Sequence, residues 1–185
     1  MSATNTDTMA DAPRNSLWAK VAPLLCKADV LFRKTAELLT PVADFLARYW
    51  VAAAFFSSGL TKTTTGSFTL LGHAFSYPLS LLPTESTLTL FEYEYQVPLL
   101  PSMLAAYMGT AAELLLPVFL FLGIGTRYAA LALFIFNIVA VISYPDLMGA
   151  GLAQHQVWGL LLLITICHGP GKLSVDALIE RLIRR

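Results

Sequence analysis

Two polar residues stand in the middle of long apolar runs, Glu113 within residues 102–124 and Asn137 within residues 128–144. A carboxyl group at such a place is costly, so it faces other protein rather than hydrocarbon and marks a candidate site. Its chemistry would be to donate or accept a proton beside an apolar ligand. The structural alternative is a carboxyl bonded to Asn137 or Arg48 on another helix. Asn137 itself suits interhelical hydrogen bonding. His155, flanked by Gln154 and Gln156, has the chemistry to relay protons or to hydrogen-bond the carbonyl of a quinone-like head group; an interfacial histidine is the plainer reading. Glu113, Arg48 and His155 are therefore the candidate catalytic residues, and Asn137, Lys62 and Tyr107 the candidate ligand-binding residues.

Other chemistries find no footing. Cys26 and Cys167 form no C-x-x-C pattern, and His73, His155 and His168 are not clustered at metal-ligand spacing, so no metal site is expected. There is no Gly-rich phosphate loop, nucleophile elbow or haem attachment motif.

The elements that would position these residues are membrane helices. Of 185 residues, 56% are hydrophobic and 13% charged, where a soluble domain carries about a quarter charged. Four segments are long enough, at about 20 residues each, to cross a bilayer: about 42–62, 102–124, 127–144 and 151–168. The second and third are joined by the short Gly123–Arg127 turn and form an antiparallel hairpin. Pro117, four residues after Glu113, should kink the second crossing there. The expected fold is all-α, a four-helix membrane bundle with amphipathic helices at both ends. Residues 1–16 read as a disordered tail without a signal-peptide apolar core. Residues 17–40 read as a basic amphipathic helix, with Pro41 opening the next one. On that next helix Arg48, Gly59 and Lys62 share one face at 100° per residue, and Asp44 and Arg48, spaced i, i+4, suit a local ion pair. The long connection 63–101 is apolar enough to cap the bundle or lie against the membrane, and Phe91–Val97 alternates as an extended segment does. Residues 169–185 form a basic amphipathic tail with Ser174 as N-cap.

Charge orients the chain. Eleven of the twelve Lys and Arg residues fall on the side of the two termini and the Gly123–Arg127 turn, leaving Lys62 on the other. The positive-inside rule then puts both termini in the cytoplasm, with 63–101 in the periplasm of a bacterial inner membrane. Basic residues used for topology leave nucleic acid an unexpected partner; the bilayer, a protein partner or a second copy are the expected ones.

The stretch VPLLPSMLAAYMGTAAELLLPVFLFLGIGTRYAALAL resembles the core of the DoxX family. The shared features are the prolines at Pro98 and Pro101, Glu113, Leu122-Gly123, Thr126-Arg127 and Ala129-Ala130. Arg48, Gly59-x-x-Lys62 and GPGKLSVDALI at Gly169–Ile179 resemble its first helix and its C-terminal signature. The resemblance implies a four-helix membrane bundle. Its name-giving members are a small subunit of an archaeal thiosulfate:quinone oxidoreductase, so it also implies a quinone as possible cofactor. Two functions follow as expectations: a quinone-interacting subunit of a redox system, fed with electrons by a partner, or a non-enzymatic membrane adaptor or assembly factor. A small transporter is a third.

Overall fold

The computed structural model describes residues 17–145 and 147–184; the expected tail at 1–16 lies outside them. The described chain is predominantly helical, with α1 Leu17–Lys62, α2 Glu85–Tyr93, α3 Ser102–Leu122, α4 Thr126–Ser143, α5 Ala150–His168 and α6 Val175–Ile183. Two strands, β1 Thr63–Leu70 and β2 His73–Pro83, lie between α1 and α2. α1, α3, α4 and α5 are long and apolar enough to cross a membrane. The protein is a multi-pass membrane protein of the expected all-α class.

The chain divides into two compact units, residues 1–40 and 41–185. In the first, the helical residues 22–40 expose their side chains throughout, Leu24, Leu31 and Phe32 among them. An Asp29–Arg33 ion pair at i, i+4 adds modest local support. No new helix starts at Pro41; α1 runs through it. A proline removes one N–H from the helical ladder, but membrane helices tolerate that loss where other groups satisfy the freed carbonyl.

The second unit is the bundle. Its core gathers Val51, Ala52 and Phe55 of α1, Leu120 of α3, Ala129, Ala130 and Leu133 of α4, and Leu162 of α5. Small residues set the helix spacing. A Cβ on Gly59 would stand 3.1 Å from the backbone carbon of Glu113, so glycine lets α1 and α3 touch. Large apolar side chains such as Leu115, Phe119, Ile135 and Leu160 point outward, as hydrocarbon surroundings allow.

The connection 63–101 is more ordered than its sequence suggests. β1 and β2 pair antiparallel around Leu71-Gly72, both at positive φ, as a two-residue hairpin turn requires. Phe68 stacks on Phe75 across the ribbon. α2 then starts from the Thr84 N-cap and continues to Tyr93. The extended reading of Phe91–Val97 therefore fails over its first part. Phe91 is buried against Ala105 and Ala106 of α3, while Glu92, Tyr93 and the C-cap Glu94 are all exposed, so the alternation does not mark a buried face.

At the α3–α4 turn the bundle is tied by a polar latch. Ile124 donates its N–H to the Phe119 carbonyl and Gly123, at φ 71°, donates to Leu120, a left-handed helix stop that glycine suits. Asp176, at the start of α6, accepts from the N–H groups of Gly125 and Thr126 and from Thr126 Oγ1, each at 2.8 Å. Arg48 reaches the same place: its guanidinium donates to the carbonyls of Leu120, Phe121 and Leu173. The expected Asp44–Arg48 pair is absent among the described residues; Arg48 turns into the bundle instead, where its guanidinium meets these three carbonyls. Burial alone would raise the Asp176 carboxyl. The hydrogen bonds from Thr126 and Gly125, with Arg48 nearby, outweigh it and hold the carboxyl below its ordinary range.

Candidate functional site

α1 ends at Lys62, and the next elements lock that end in place. The Lys62 carbonyl accepts from the Thr84 N–H at 3.0 Å and from Thr87 Oγ1 at 2.9 Å, which fastens α2 to α1. The side chain turns back into the bundle. Its Nζ donates to Glu113 Oε2 at 2.6 Å and to Ser58 Oγ at 2.9 Å, and Ser58 Oγ donates to Glu113 Oε1 at 3.3 Å. Lys62 is 8% and Glu113 6% exposed. An ion pair this deep is held by its hydrogen bonds, and breaking it from one side leaves an uncompensated buried charge. Two of the three ammonium N–H bonds are used, which leaves one for another acceptor.

A cavity of about 400 Å³ opens beside this pair. α3 and α4 supply much of its wall, including Met108, Gly109, Leu116, Phe136 and Val139, and α5 adds His155 and Trp158. Its cap comes from α2 and the segment after it, through Phe91, Tyr95, Val97 and Leu100. Phe91 seats its ring on Gly109, and the Gln96 N–H donates to the Ser143 carbonyl at 2.8 Å, so the cap is fixed to α3 and to the end of α4. Tyr95 stacks between Phe91 and Tyr144. Burial, and then the negative charge of Glu113, push its phenol above the ordinary tyrosine value, so it stays protonated at neutral pH. Ser143 lines the cavity with its side chain 1% exposed, and its Oγ has no hydrogen-bond partner among the described residues. Thr110 Oγ1 and Arg48 Nε are likewise buried without a hydrogen-bond partner among the described residues, so an unpaired polar atom does not by itself mark this site.

His155 and Asn137 form a second pair. Asn137 Nδ2 donates to the His155 carbonyl at 3.0 Å, and its Oδ1 stands 2.7 Å from His155 Nδ1. Asn137 thus joins α4 to α5 and orients the histidine ring, against which Trp158 sets its edge.

The candidate residues therefore separate into groups. Lys62, Glu113 and His155 line one cavity, and Asn137 stands behind His155. The partner of Glu113 is Lys62, and neither Asn137 nor Arg48 bonds to it among the described residues. Arg48 belongs to the latch, about 21 Å along α1 from Lys62 at 1.5 Å per residue. Tyr107 is 38% exposed and is not on the cavity wall. Ser58 and Ser143 went unnoticed in the sequence. Ser58 carried a usable signal, since it precedes Lys62 by four residues and shares its helix face; Ser143, at a helix end, carried none.

The sequence profile of the DoxX family matches residues 43–145. A protein of Haemophilus influenzae described as uncharacterized is 28% identical over 146 residues, covering 76% of this chain and 85% of that protein. No solved structure matches. The matched segment contains Arg48, Lys62, Glu113 and Asn137 together with the cap, and it spans more than half of the chain, which therefore belongs to the DoxX family.

Proposed function

We propose that this DoxX protein holds a quinone-class, lipid-soluble molecule in the cavity beside Lys62 and Glu113 and serves as a membrane component of a redox system. One observation carries this reading: a buried Lys–Glu pair with an ammonium N–H left over lies on the wall of an apolar cavity. Apolar walls with a few convergent polar groups are what small-molecule sites present, and the volume lies within their usual range of about 300–1,000 Å³. The donor set fits a quinone head. The remaining Lys62 N–H can donate to a carbonyl oxygen, and the stacked Tyr95 and Phe91 offer a flat face to a ring. A bound quinone would supply two-electron, two-proton carrier chemistry. The chain's own part would be to bind and orient the ring, to exclude water with the cap, and to take up a proton at the Glu113 carboxylate, whose charge Lys62 otherwise balances. Electrons would come from a partner or an exogenous donor. The excess of Lys and Arg at the latch end supports a bacterial inner-membrane location with both termini cytoplasmic, and hence a cavity nearer the periplasm.

The test is equilibrium binding of a short-chain quinone to the purified protein in nanodiscs. Saturable binding, weakened at least tenfold in Glu113→Gln, is expected; absence of saturable binding by the wild type would sink the reading. A second reading, the membrane adaptor, is favoured by the β1–β2 ribbon. It carries no Asp, Glu, Lys or Arg from Thr63 to Thr84 and exposes Phe68, Leu70 and Leu71. An uncharged strand edge of this kind is a ready template for another chain. Removing residues 65–81 should then abolish function in cells while quinone binding persists.

A further inference from the structure

The cavity holds a hydrogen-bond asymmetry that would distinguish the two redox forms of such a ligand. The Asn137 amide is oriented by its own bond to the His155 carbonyl: that bond needs the N–H donors of Nδ2. Oδ1 is then the atom that faces His155 Nδ1 at 2.7 Å. An amide oxygen only accepts, so Nδ1 must carry the proton. In the neutral ring the proton on Nδ1 leaves Nε2 as a bare acceptor, and Nε2 has no hydrogen-bond partner among the described residues. Asn137 is 5% exposed, so water does not readily compete for its amide and the tautomer is held. His155 contributes to the cavity wall.

We infer that this asymmetry makes the site select a hydroxylated ring, the quinol form, over the quinone: His155 Nε2 accepts a phenolic O–H and has nothing to offer a carbonyl oxygen. The inference rests on the quinone-class reading above and adds the redox state and the residue that reads it. At the other polar group the Lys62 N–H can donate to a phenolic oxygen or to a carbonyl, while both Glu113 carboxylate oxygens are already engaged by Lys62 and Ser58. His155 is the discriminating residue, and Asn137 is a positioning residue that acts through it. A site of this kind stabilises the reduced form of whatever it binds.

The experiment compares two ligand pairs on the full-length protein in nanodiscs. One pair is a short-chain ubiquinol and its quinone, kept anaerobic. The other is a hydroquinone and its dimethyl ether, which retains both oxygens, has no O–H and is redox-inert. Wild type should bind the hydroxylated member of each pair at least tenfold more tightly. His155→Phe keeps a flat ring and removes the acceptor, so the quinol-to-quinone preference should fall to within about twofold of unity, with Asn137→Leu between the two. Equal binding of quinol and quinone by the wild type would overturn the inference and leave the quinone-class reading standing. So would a preference that His155→Phe retains. Binding of neither form would overturn the quinone-class reading itself, and the inference with it. The wild-type comparison is decisive even if a variant fails to fold.

Discussion

Two buried basic residues on α1, Arg48 and Lys62, belong to polar clusters of opposite design. Arg48 lies in the latch, where its guanidinium meets the carbonyls of Leu120, Phe121 and Leu173 and where Asp176 caps the N-terminal N–H groups of α4. Apart from Arg48 Nε, which has no hydrogen-bond partner among the described residues, these groups bond to one another, and they line neither of the described cavities. Lys62 instead forms an ion pair that faces a cavity, with donor capacity left over. A buried charge is thus no sign of function in itself. What separates the two clusters is whether the polar groups line a space that a ligand can enter.

Breaking the latch and breaking the cavity pair should have the largest effects on stability. Arg48→Met removes the donor from three carbonyls and should cost about 3 kcal/mol of stability, seen as a lower thermal midpoint in detergent. Quinone affinity of the folded protein should stay within about twofold of wild type; a specific loss of affinity would blur the separation. The pair at the cavity should behave differently. Lys62→Met or Glu113→Met alone leaves a buried partner unsatisfied and should cost about 3 kcal/mol. The double variant Lys62→Met with Glu113→Met should return to within about 1 kcal/mol of wild type, because replacing both partners by apolar side chains removes the penalty. Ligand binding should be lost in all three. A double-mutant cycle by thermal unfolding and ligand binding measures both.

Acid gives the smallest effect. The Asp176 carboxyl titrates below the ordinary aspartate value of about 3.9 because the α4 N–H groups favour its charged form. Its contribution to stability is therefore fully present above that value and is lost as pH falls through the lower folded value. Wild type should lose stability on acidification below about pH 4, and Asp176→Asn, about 1 kcal/mol less stable at neutral pH, should lose less over the same window. Parallel acid curves would remove Asp176 from the latch.

Much of the bundle was legible because hydropathy and helical spacing report it directly. The four crossings follow from apolar runs, and the shared face of Arg48, Gly59 and Lys62 follows from 100° steps along one helix. Pairings between helices were less legible. Glu113 meets Lys62 rather than Arg48 because Gly59 brings α1 against α3 in one register, and a single sequence does not state a register. Lys62 carried a hint, as the one cation on its side of the charge count. The Asp44–Arg48 spacing misled because an i, i+4 pattern says nothing of the carbonyls left open at the end of α3. The β1–β2 hairpin escaped notice because its turn is Leu71-Gly72 rather than Asn-Gly or Asp-Gly, and its strands lack a clean alternation. The cavity and the unpartnered Ser143 hydroxyl are properties of packing and have no local signature.

Photoaffinity labelling with a short-chain azidoquinone, followed by peptide mapping, tests most directly whether the cavity is the ligand site. A second groove, lined by Tyr49, Trp50, Ser57, Gln154 and Val157 between α1 and α5, serves as the internal control. Label that unlabelled quinone competes away should fall on the cavity wall, at Met108, Phe136, Val139 or Tyr144, and should vanish in Glu113→Gln. Competable label confined to the α1–α5 groove, or unchanged by Glu113→Gln, would contradict the assignment of Lys62 and Glu113 to a ligand site.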